Sequence, residues 1–176
     1  MVTIAPAFAM HGPGAAAVAE AVRFQPESAR SADGYLVHIA SAEENSRRFE
    51  ASAYSVVAVA DGQVVGFLRA VGGEEAELTP ESASLAAHLP LDGYVLVDQI
   101  GLLPAYKGQG LAQLMLDAVT ARSGANRLGA VIMHGPVRNA RSLGFFTGRN
   151  GFSLVHELSD PPFAWGYYEK RRVVLS

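Results

Sequence analysis

Residues 98–116 read DQIGLLPAYKGQGLAQLML, and this stretch decides the fold. A strand-like apolar run ends at Leu102, and Pro104 then stops any sheet ladder because proline has no backbone N–H. A helix is predicted to begin directly after Gly110, since apolar residues recur from there at helical spacing. The recurring residues are Leu111, Leu114, Met115, Ala118 and Val119. The order of strand, glycine-containing loop and helix makes residues 107–112 the first place to look for a ligand site.

The loop at residues 107–112 has the chemistry of an anion site. The first turn of a helix exposes backbone N–H groups without internal acceptors, and the helix dipole adds partial positive charge there. Gly108 and Gly110 let a ligand approach those groups, because neither residue carries a Cβ. A phosphate or pyrophosphate fits such an arrangement. On the glycines alone, a tight structural turn stays open as the other interpretation.

Two segments beside the motif are predicted to form a parallel strand pair. Residues 94–102 are apolar on both faces apart from two polar positions, as expected of a central strand. The helix after Gly110 leads to a second apolar run at residues 128–134. Two strands joined by one helix are most simply parallel, as a single right-handed crossover.

The clearest local signal is a hairpin. Residues 54–60 and 63–71 are β-rich runs separated by Asp61-Gly62, which favours a type I′ turn with positive φ at both positions. Similar patterns predict strands at residues 2–8, 152–158 and 163–175, and helices at residues 15–24, 41–51 and 139–147. Ser41 is the expected N-cap of the second helix, and residues 12–14 (Gly-Pro-Gly) are expected to break the chain before the first. These elements predict one α/β domain with a mixed sheet over residues 1–176.

Composition excludes several classes of function. The chain has 176 residues and no cysteine, which removes disulfides, thiolate nucleophiles and cysteine zinc sites, and no metal site is predicted. The formal net charge is −3 with scattered basic residues, so nucleic acid is not an expected partner. No apolar run reaches about 18 residues, so neither a spanning helix nor a membrane partner is expected. A cytoplasmic location fits these features.

Residues 98–116 resemble the acyl-CoA motif of the GNAT N-acetyltransferases, members of the acyl-CoA-dependent N-acyltransferase superfamily. That motif is arginine or glutamine, two residues, glycine, one residue, then glycine or alanine, with V-x-P upstream. Residues 107–112 (KGQGLA) match it, with Leu102-Leu103-Pro104 before them. The departures are Lys107 for arginine or glutamine and Leu102 for valine, and neither removes a backbone N–H donor. The hairpin and a later block from Asn139 to Gly151-Phe152 follow the family's order.

The resemblance implies a GNAT-like fold: a mixed, mostly antiparallel sheet with a splayed parallel strand pair, flanked by helices. It also implies acetyl-CoA as co-substrate, with pantetheine between the splayed strands, and acyl transfer to a primary amine on a small molecule or a protein. The implied contacts to pantetheine are the backbone of Ile100, Gly101 and Leu102, with Asn139 and Phe146 near its end. The implied contacts around the pyrophosphate are Lys107, Gly108, Gln109, Gly110, Leu111, Ala112 and Gln113. Asn139 can equally be a helix N-cap.

Two residues are candidates for the base that removes a proton from the attacking ammonium. Asp98 is expected on the same strand face as Leu96, Ile100 and Leu102 if the strand has no bulge. Its alternative role is a structural hydrogen bond to a neighbouring loop, because a carboxylate in an apolar strand needs a partner. His134 ends the next strand, and imidazole suits base chemistry near neutral pH, although a satisfied strand-end histidine is the alternative.

The general acid is where the sequence departs from the family. Members usually carry a tyrosine seven residues after the asparagine and four before the glycine of Gly-Phe. Here the first count gives Phe146 and the second gives Thr147, so this block holds one extra residue. Thr147 can hydrogen-bond the leaving thiolate but is a poor acid. Tyr167 or Tyr168 on the last strand are further candidates, with ordinary sheet residues as their alternative role. The thiolate can also leave without a dedicated acid.

Two other functions stay open on the sequence: a non-catalytic acyl-CoA-binding or sensing module on the same fold, and a peptide-binding interaction protein. Residues 73–93 are acidic and include a predicted short helix at residues 80–88. They are either a solvated excursion or a lid that attracts a cationic acceptor. Trp165 and its aromatic neighbours are candidates for a homodimer interface.

Overall fold

The computed structural model describes residues 1–30, 32–72 and 93–171. Its seven-stranded sheet has the order β1-β2-β3-β4-β5-β7-β6. The strands are β1 (Val2–Pro6), β2 (Val56–Ala60), β3 (Gln63–Gly72), β4 (Tyr94–Leu102), β5 (Arg127–Gly135), β6 (Ser153–Asp160) and β7 (Phe163–Arg171). The predicted helix at residues 80–88 and the last residues of the predicted final strand lie outside the described residues.

The sheet is mixed, as predicted. β4 and β5 are parallel, and the other neighbouring strands pair antiparallel. The β4–β5 ladder runs only from Tyr94↔Arg127 to Val97↔Ala130, although β4 continues to Leu102 and β5 to Gly135. The two strands therefore splay beyond Val97, which leaves one edge of the end of β4 without a strand partner.

The predicted hairpin is confirmed in its turn type. Asp61 has φ 49° and Gly62 has φ 78°, so both central residues take the positive φ that a type I′ turn requires. Asp61 has the only positive φ among the non-glycine residues of the described ranges. The turn matches the right-handed twist of β2 and β3, and this places β3 directly beside β4.

Within the described ranges, the α-helices are α1 (Gly12–Ala21), α2 (Ala42–Ala51), α3 (Leu111–Ser123) and α4 (Ala140–Leu143), and a π-helix (Gly144–Arg149) continues α4. The predicted N-cap of α2 is confirmed, because the Ser41 side chain accepts from the backbone N–H of Glu44 at 3.1 Å. α3 begins after Gly110 and ends at Gly124, both in the left-handed region. None of the described helices has the length and apolar character needed to cross a membrane.

The predicted start and end of the first helix are wrong. Gly12 and Pro13 form the first turn of α1, where the missing proline N–H would have no acceptor in any case. Gly12 also lets α1 approach α2, because a Cβ there would overlap the Ser46 side chain. The helix stops at Ala21 since the chain then pairs with a later segment, with Leu36 N–H donating to the Val22 carbonyl at 2.9 Å.

Apolar side chains cover both faces of the sheet. Along β3, successive side chains point to opposite faces and pack into different clusters. Leu68 and Ala70 belong to the cluster beneath α3. Phe67 belongs to the cluster beneath α1 and α2, and Val71 to a third cluster that also contains Trp165. The site lies where this two-sided core opens at the splay.

Candidate active site

Two adjoining cavities lie along the splay. The larger, about 360 Å³, runs beside the end of β4 to the start of α3. The smaller, about 60 Å³, lies between the diverging strands, with Val97 on β4 and Met133 on β5 in its walls. Tyr35, Ile100 and Ser142 line both cavities, so these three residues mark the junction.

Most of the predicted cofactor contacts line the larger cavity: Ile100, Gly101, Leu102, Lys107, Gly108, Gly110, Leu111, Ala112 and Gln113. Gln109 does not, because its side chain turns back and donates to the Ala105 carbonyl at 2.9 Å. Asn139 and Phe146 line the smaller cavity instead. The structure thus places most of the predicted pyrophosphate and strand-edge residues in one half of the groove, and Asn139 and Phe146 in the other half. Their contact with a cofactor stays a prediction.

The glycine loop leaves its N–H groups available. Gly108 has φ 81° and Gly110 has φ 80°, a conformation that favours glycine, and a Cβ at either position would meet nothing within 4 Å. No side chain caps α3 at Gly110. Among the described residues, no backbone carbonyl accepts from the N–H groups of Gly108, Gln109 or Gly110. A run of N–H groups without a backbone acceptor, in a loop whose two glycines line the larger cavity, fits a pyrophosphate.

Basic side chains add positive charge to the larger cavity. Lys107, Arg141 and Arg149 all line it. Burial, helped by the nearby charge of Arg141, lowers the pKa of Lys107. The Lys107 ammonium donates to the carbonyls of Asp33 at 2.7 Å and Gly34 at 3.2 Å, so it holds a loop as well as contributing charge.

That loop, residues 32–38, forms a strap over the groove. Gln99 donates to the His38 carbonyl at 2.8 Å, and Asn139 Nδ2 donates to the Tyr35 carbonyl at 3.2 Å. The Tyr35 hydroxyl donates to the Val137 carbonyl. The strap is therefore fixed to β4 on one side and to the segment after β5 on the other.

Asn139 has the structural role that the sequence left open. Its Oδ1 accepts from the backbone N–H of Ser142 at 3.1 Å, which caps α4. With its Nδ2 on the strap, both ends of the buried amide are engaged. Asn139 thereby fixes the position of Ser142 at the junction of the cavities.

The prediction that Asp98 shares a face with Ile100 and Leu102 is wrong, because β4 has a bulge at this residue. Gln99 pairs with Arg69 and Val97 pairs with the next residue, so Asp98 is extra in the ladder. A bulge shifts the alternation of faces by one residue. Asp98 forms an ion pair with Arg69 at 2.9 Å, and both side chains are fully buried. Asp98 does line the smaller cavity, but its carboxylate is paired with Arg69 on the neighbouring strand β3. This role is structural, although the partner lies on a strand and the alternative named from the sequence was a neighbouring loop.

His134 does not reach either cavity. β5 has a bulge at this residue, since Met133 pairs with Trp165 and Gly135 with Ala164. His134 Nδ1 lies 2.8 Å from Glu157 Oε1, and Nε2 lies 2.8 Å from the Tyr168 hydroxyl oxygen. Both ring nitrogens are engaged outside the groove, which matches the satisfied strand-end histidine.

Thr147, which was predicted to hydrogen-bond the leaving thiolate, also lies outside both cavities. Its hydroxyl donates to the Leu143 carbonyl at 2.8 Å, within its own helix. Phe146 is buried and packs against Phe152, with ring centroids 5.1 Å apart. Both residues belong to the π-helix, and a π-helix arises where one residue is inserted into an α-helix. The extra residue counted in the sequence is accommodated there.

The sequence reasoning missed Tyr35, Arg141, Ser142 and Arg149. Arg141 and Ser142 are the second and third residues after Asn139, so their place in the predicted helix was a usable signal. Tyr35 carries no such signal, because it reaches the groove through a loop more than sixty residues before the motif. Among these residues, Ser142 lines both cavities, and its hydroxyl donates to no described residue.

Comparisons with known proteins agree with the fold. No curated protein matches the chain. Among solved structures, a ribosomal-protein alanine N-acetyltransferase from Escherichia coli has TM-score 0.67 at 12% identity, with 97% of this chain and 94% of that chain covered. An N-acetyltransferase from Staphylococcus aureus has TM-score 0.65 at 17% identity, with 97% and 98% covered.

A third structure contains ligands. Diaminobutyrate acetyltransferase from Paenibacillus lautus, in complex with L-2,4-diaminobutyric acid and coenzyme A, has TM-score 0.63 at 14% identity, with 96% of this chain and 93% of that chain covered. Because all three structures have low sequence identity to this chain, their similarity to it is evidence for the fold alone. The sequence profile of the acetyltransferase (GNAT) family matches residues 15–152, which is most of the chain. The chain belongs to the GNAT acetyltransferase family.

Proposed function

We propose that this protein is an N-acetyltransferase that moves an acetyl group from acetyl-CoA to a primary amine. The observation that carries the proposal is the continuous groove along the splay. It joins a loop of free N–H donors at Gly108–Gly110 to an unpaired strand edge at residues 100–102 and ends in a small cavity. The family match and the coenzyme A bound to the Paenibacillus lautus structure support it.

The residues of the groove fit the parts of acetyl-CoA. The N–H groups of the glycine loop, with Lys107, Arg141 and Arg149 around them, suit the pyrophosphate. The free backbone edge of residues 100–102 suits the pantetheine amides, because β5 no longer pairs there. The thioester then belongs at the junction of the cavities.

The rate of acyl transfer does not depend strongly on any single side chain. A neutral amine attacks the thioester carbonyl, a C–N bond forms, the C–S bond breaks, and the proton of the amine leaves to a base or water. Holding amine and thioester together supplies about 7–11 kcal/mol. A general base adds about 10²–10⁴ in rate. A groove that holds the amine against the thioester can therefore support acyl transfer even though the side chains of Asp98 and His134 are held in other contacts.

Ser142 is our proposed partner of the leaving thiolate. Ser142 lines both cavities, whereas Thr147 donates within its own helix and Phe146 is buried. A serine hydroxyl is too weak an acid to protonate a thiolate, so it would stabilise the anion by a hydrogen bond. Ser142→Ala should then lower kcat without weakening the binding of CoA.

The position where the family usually has a tyrosine holds Phe146 or Thr147 in this chain. This departure favours a second candidate function, an acyl-CoA-binding module without turnover. One experiment separates the two functions. The protein is mixed with acetyl-CoA and a panel of primary amines, and free thiol is followed with a chromogenic thiol reagent. Because the chain has no cysteine, released CoA is the only thiol in the assay.

The same samples are melted with and without CoA, since a ligand that binds only the folded state raises the Tm. Thiol release that depends on the amine supports the transferase. A raised Tm without thiol release supports the binding module. If CoA changes neither measurement, the groove does not bind CoA and both functions fail.

A further inference from the structure

The acceptor side of the groove carries a frame of four aromatic rings. We infer that the acceptor is a small primary amine attached to an apolar, preferably aromatic, group. This inference rests on the proposed function and adds the class of acceptor to it.

The frame consists of Phe24, Tyr35, Phe163 and Trp165. The rings of Phe24 and Tyr35 have centroids 4.8 Å apart, and those of Phe24 and Phe163 are 6.4 Å apart at 69°, edge to face. Phe163 and Trp165 are 5.7 Å apart. The four rings thus form an unbroken series of contacts.

Both ends of this series reach the same place. Tyr35 and Trp165 line the smaller cavity, where the thioester is proposed to end. Phe24 and Phe163, in the middle of the series, are only partly buried. A molecule that approaches the smaller cavity along the frame therefore passes from solvent across aromatic rings.

The backbone holds the frame rigid. Phe24 N–H donates to the Leu36 carbonyl at 2.7 Å, which fixes Phe24 beside the strap that carries Tyr35. Phe163 and Trp165 are two residues apart on β7 and so lie on one face of the sheet. Rings that are already in place lose little conformational entropy when a ligand packs on them.

The charges around the smaller cavity favour a single amino group on an apolar body. Asp98 is the one charged side chain among the described residues that line it, and Asp98 is paired with Arg69. A second cationic group on the acceptor would find no free carboxylate there. Asp160 is exposed and lies opposite Phe163 in the β6–β7 ladder, so it can attract one ammonium beside the aromatic frame.

Aromatic surroundings also suit the chemistry of the amine. An ammonium is attracted to the faces of aromatic rings as it arrives. Removal from water then favours the neutral form, which is the form that attacks the thioester. The frame would therefore select for an apolar substituent and assist loss of the proton at the same place.

The test measures kcat/KM by thiol release for 2-phenylethylamine, butylamine, spermidine and a short peptide with a free N-terminus. We expect 2-phenylethylamine to exceed butylamine by about threefold to tenfold and to exceed spermidine by more. Phe163→Ala should lower the value for 2-phenylethylamine by about twofold to tenfold, with the KM for acetyl-CoA unchanged. Phe24→Leu, at a partly buried position, provides a second variant if Phe163→Ala folds poorly.

Phe8→Ala is the matched control, because Phe8 is 57% exposed and follows β1 at the opposite edge of the sheet. This variant should leave the kcat/KM values for all four amines unchanged. A preference for spermidine or for the peptide, or equal losses in the Phe163 and Phe8 variants, would overturn the inference while the transferase function stands. Absence of thiol release with every amine would instead overturn the proposed function and this inference with it.

Discussion

Replacing Gly110 with valine tests the loop on which the proposed function depends. Gly110 has φ 80° and a Cβ at this position would point into open space beside the larger cavity. Valine there adds a β-branched side chain at a residue that lines the larger cavity, next to the N–H groups that open α3. Gly124→Val is the matched control, because Gly124 ends the same helix at φ 59° with equally open surroundings.

The structure sets the expected magnitudes. Both variants force a β-branched residue into the left-handed region, at about 1–2 kcal/mol each. For a chain of this size that lowers the Tm by roughly 2–8 °C in either variant. Only Gly110→Val blocks the ligand donors, and a hydrogen bond to a charged group contributes about 1.5–3 kcal/mol. Losing two of them weakens the Kd for CoA by roughly 10²–10⁴.

The assay is isothermal titration calorimetry with CoA, on variants whose circular dichroism matches the unchanged protein. We expect Gly124→Val to keep its affinity and Gly110→Val to lose measurable binding. If Gly110→Val binds CoA within about threefold of the unchanged protein, the glycine loop is an ordinary turn. The position of the pyrophosphate would then have to be sought elsewhere.

Three further changes test other parts of the molecule. Gly129→Ala would place a Cβ 2.5 Å from a buried tyrosine hydroxyl, so urea unfolding should show a loss of about 1–3 kcal/mol, whereas Gly148→Ala, with nothing within 4 Å, should show none. Asp98→Asn removes the buried counter-charge of Arg69, and we expect a loss of about 3–5 kcal/mol that the double change Asp98→Leu with Arg69→Met largely restores; equal losses would contradict a dominant ion pair. Burial raises the pKa of Tyr35 to about 12, above its unfolded value of about 10, so its contribution to stability is present below about pH 10 and is lost as the pH rises through 12. Tyr35→Phe should therefore lose less stability than the unchanged protein between pH 10 and 12, and identical alkaline unfolding curves would contradict this.

Features encoded by neighbouring residues were predictable from the sequence. The Asp61-Gly62 turn, the Ser41 cap and the helix between Gly110 and Gly124 each depend on backbone conformations that a few adjacent residues dictate. The parallel pair followed from the helix that joins its strands. Such local signals were enough for the mixed sheet and for the half of the groove that holds the glycine loop.

The rest of the groove depends on contacts between distant segments. Tyr35 reaches the junction because Lys107, Gln99 and Asn139 hold the strap in place through its carbonyls. Backbone carbonyls are present at every residue, so no side-chain pattern in the strap reveals these contacts. The aromatic frame likewise joins two segments that are far apart in the sequence, around Phe24 and around Phe163, and each of its rings looks like an ordinary core residue when taken alone.

The errors at individual site residues have one physical cause. Rules that assign side chains to faces assume an unbroken period, of two along a strand and 3.6 along a helix. Around this groove three single-residue insertions break the period: the bulges at Asp98 and His134 and the π-helix at Gly144–Arg149. The Asp98 bulge lies where β4 and β5 separate, and the π-helix follows the capped turn that carries Ser142. Regular strands would have continued to pair and closed the groove, so the irregularities that defeated the periodic rules are also what leaves room for a ligand.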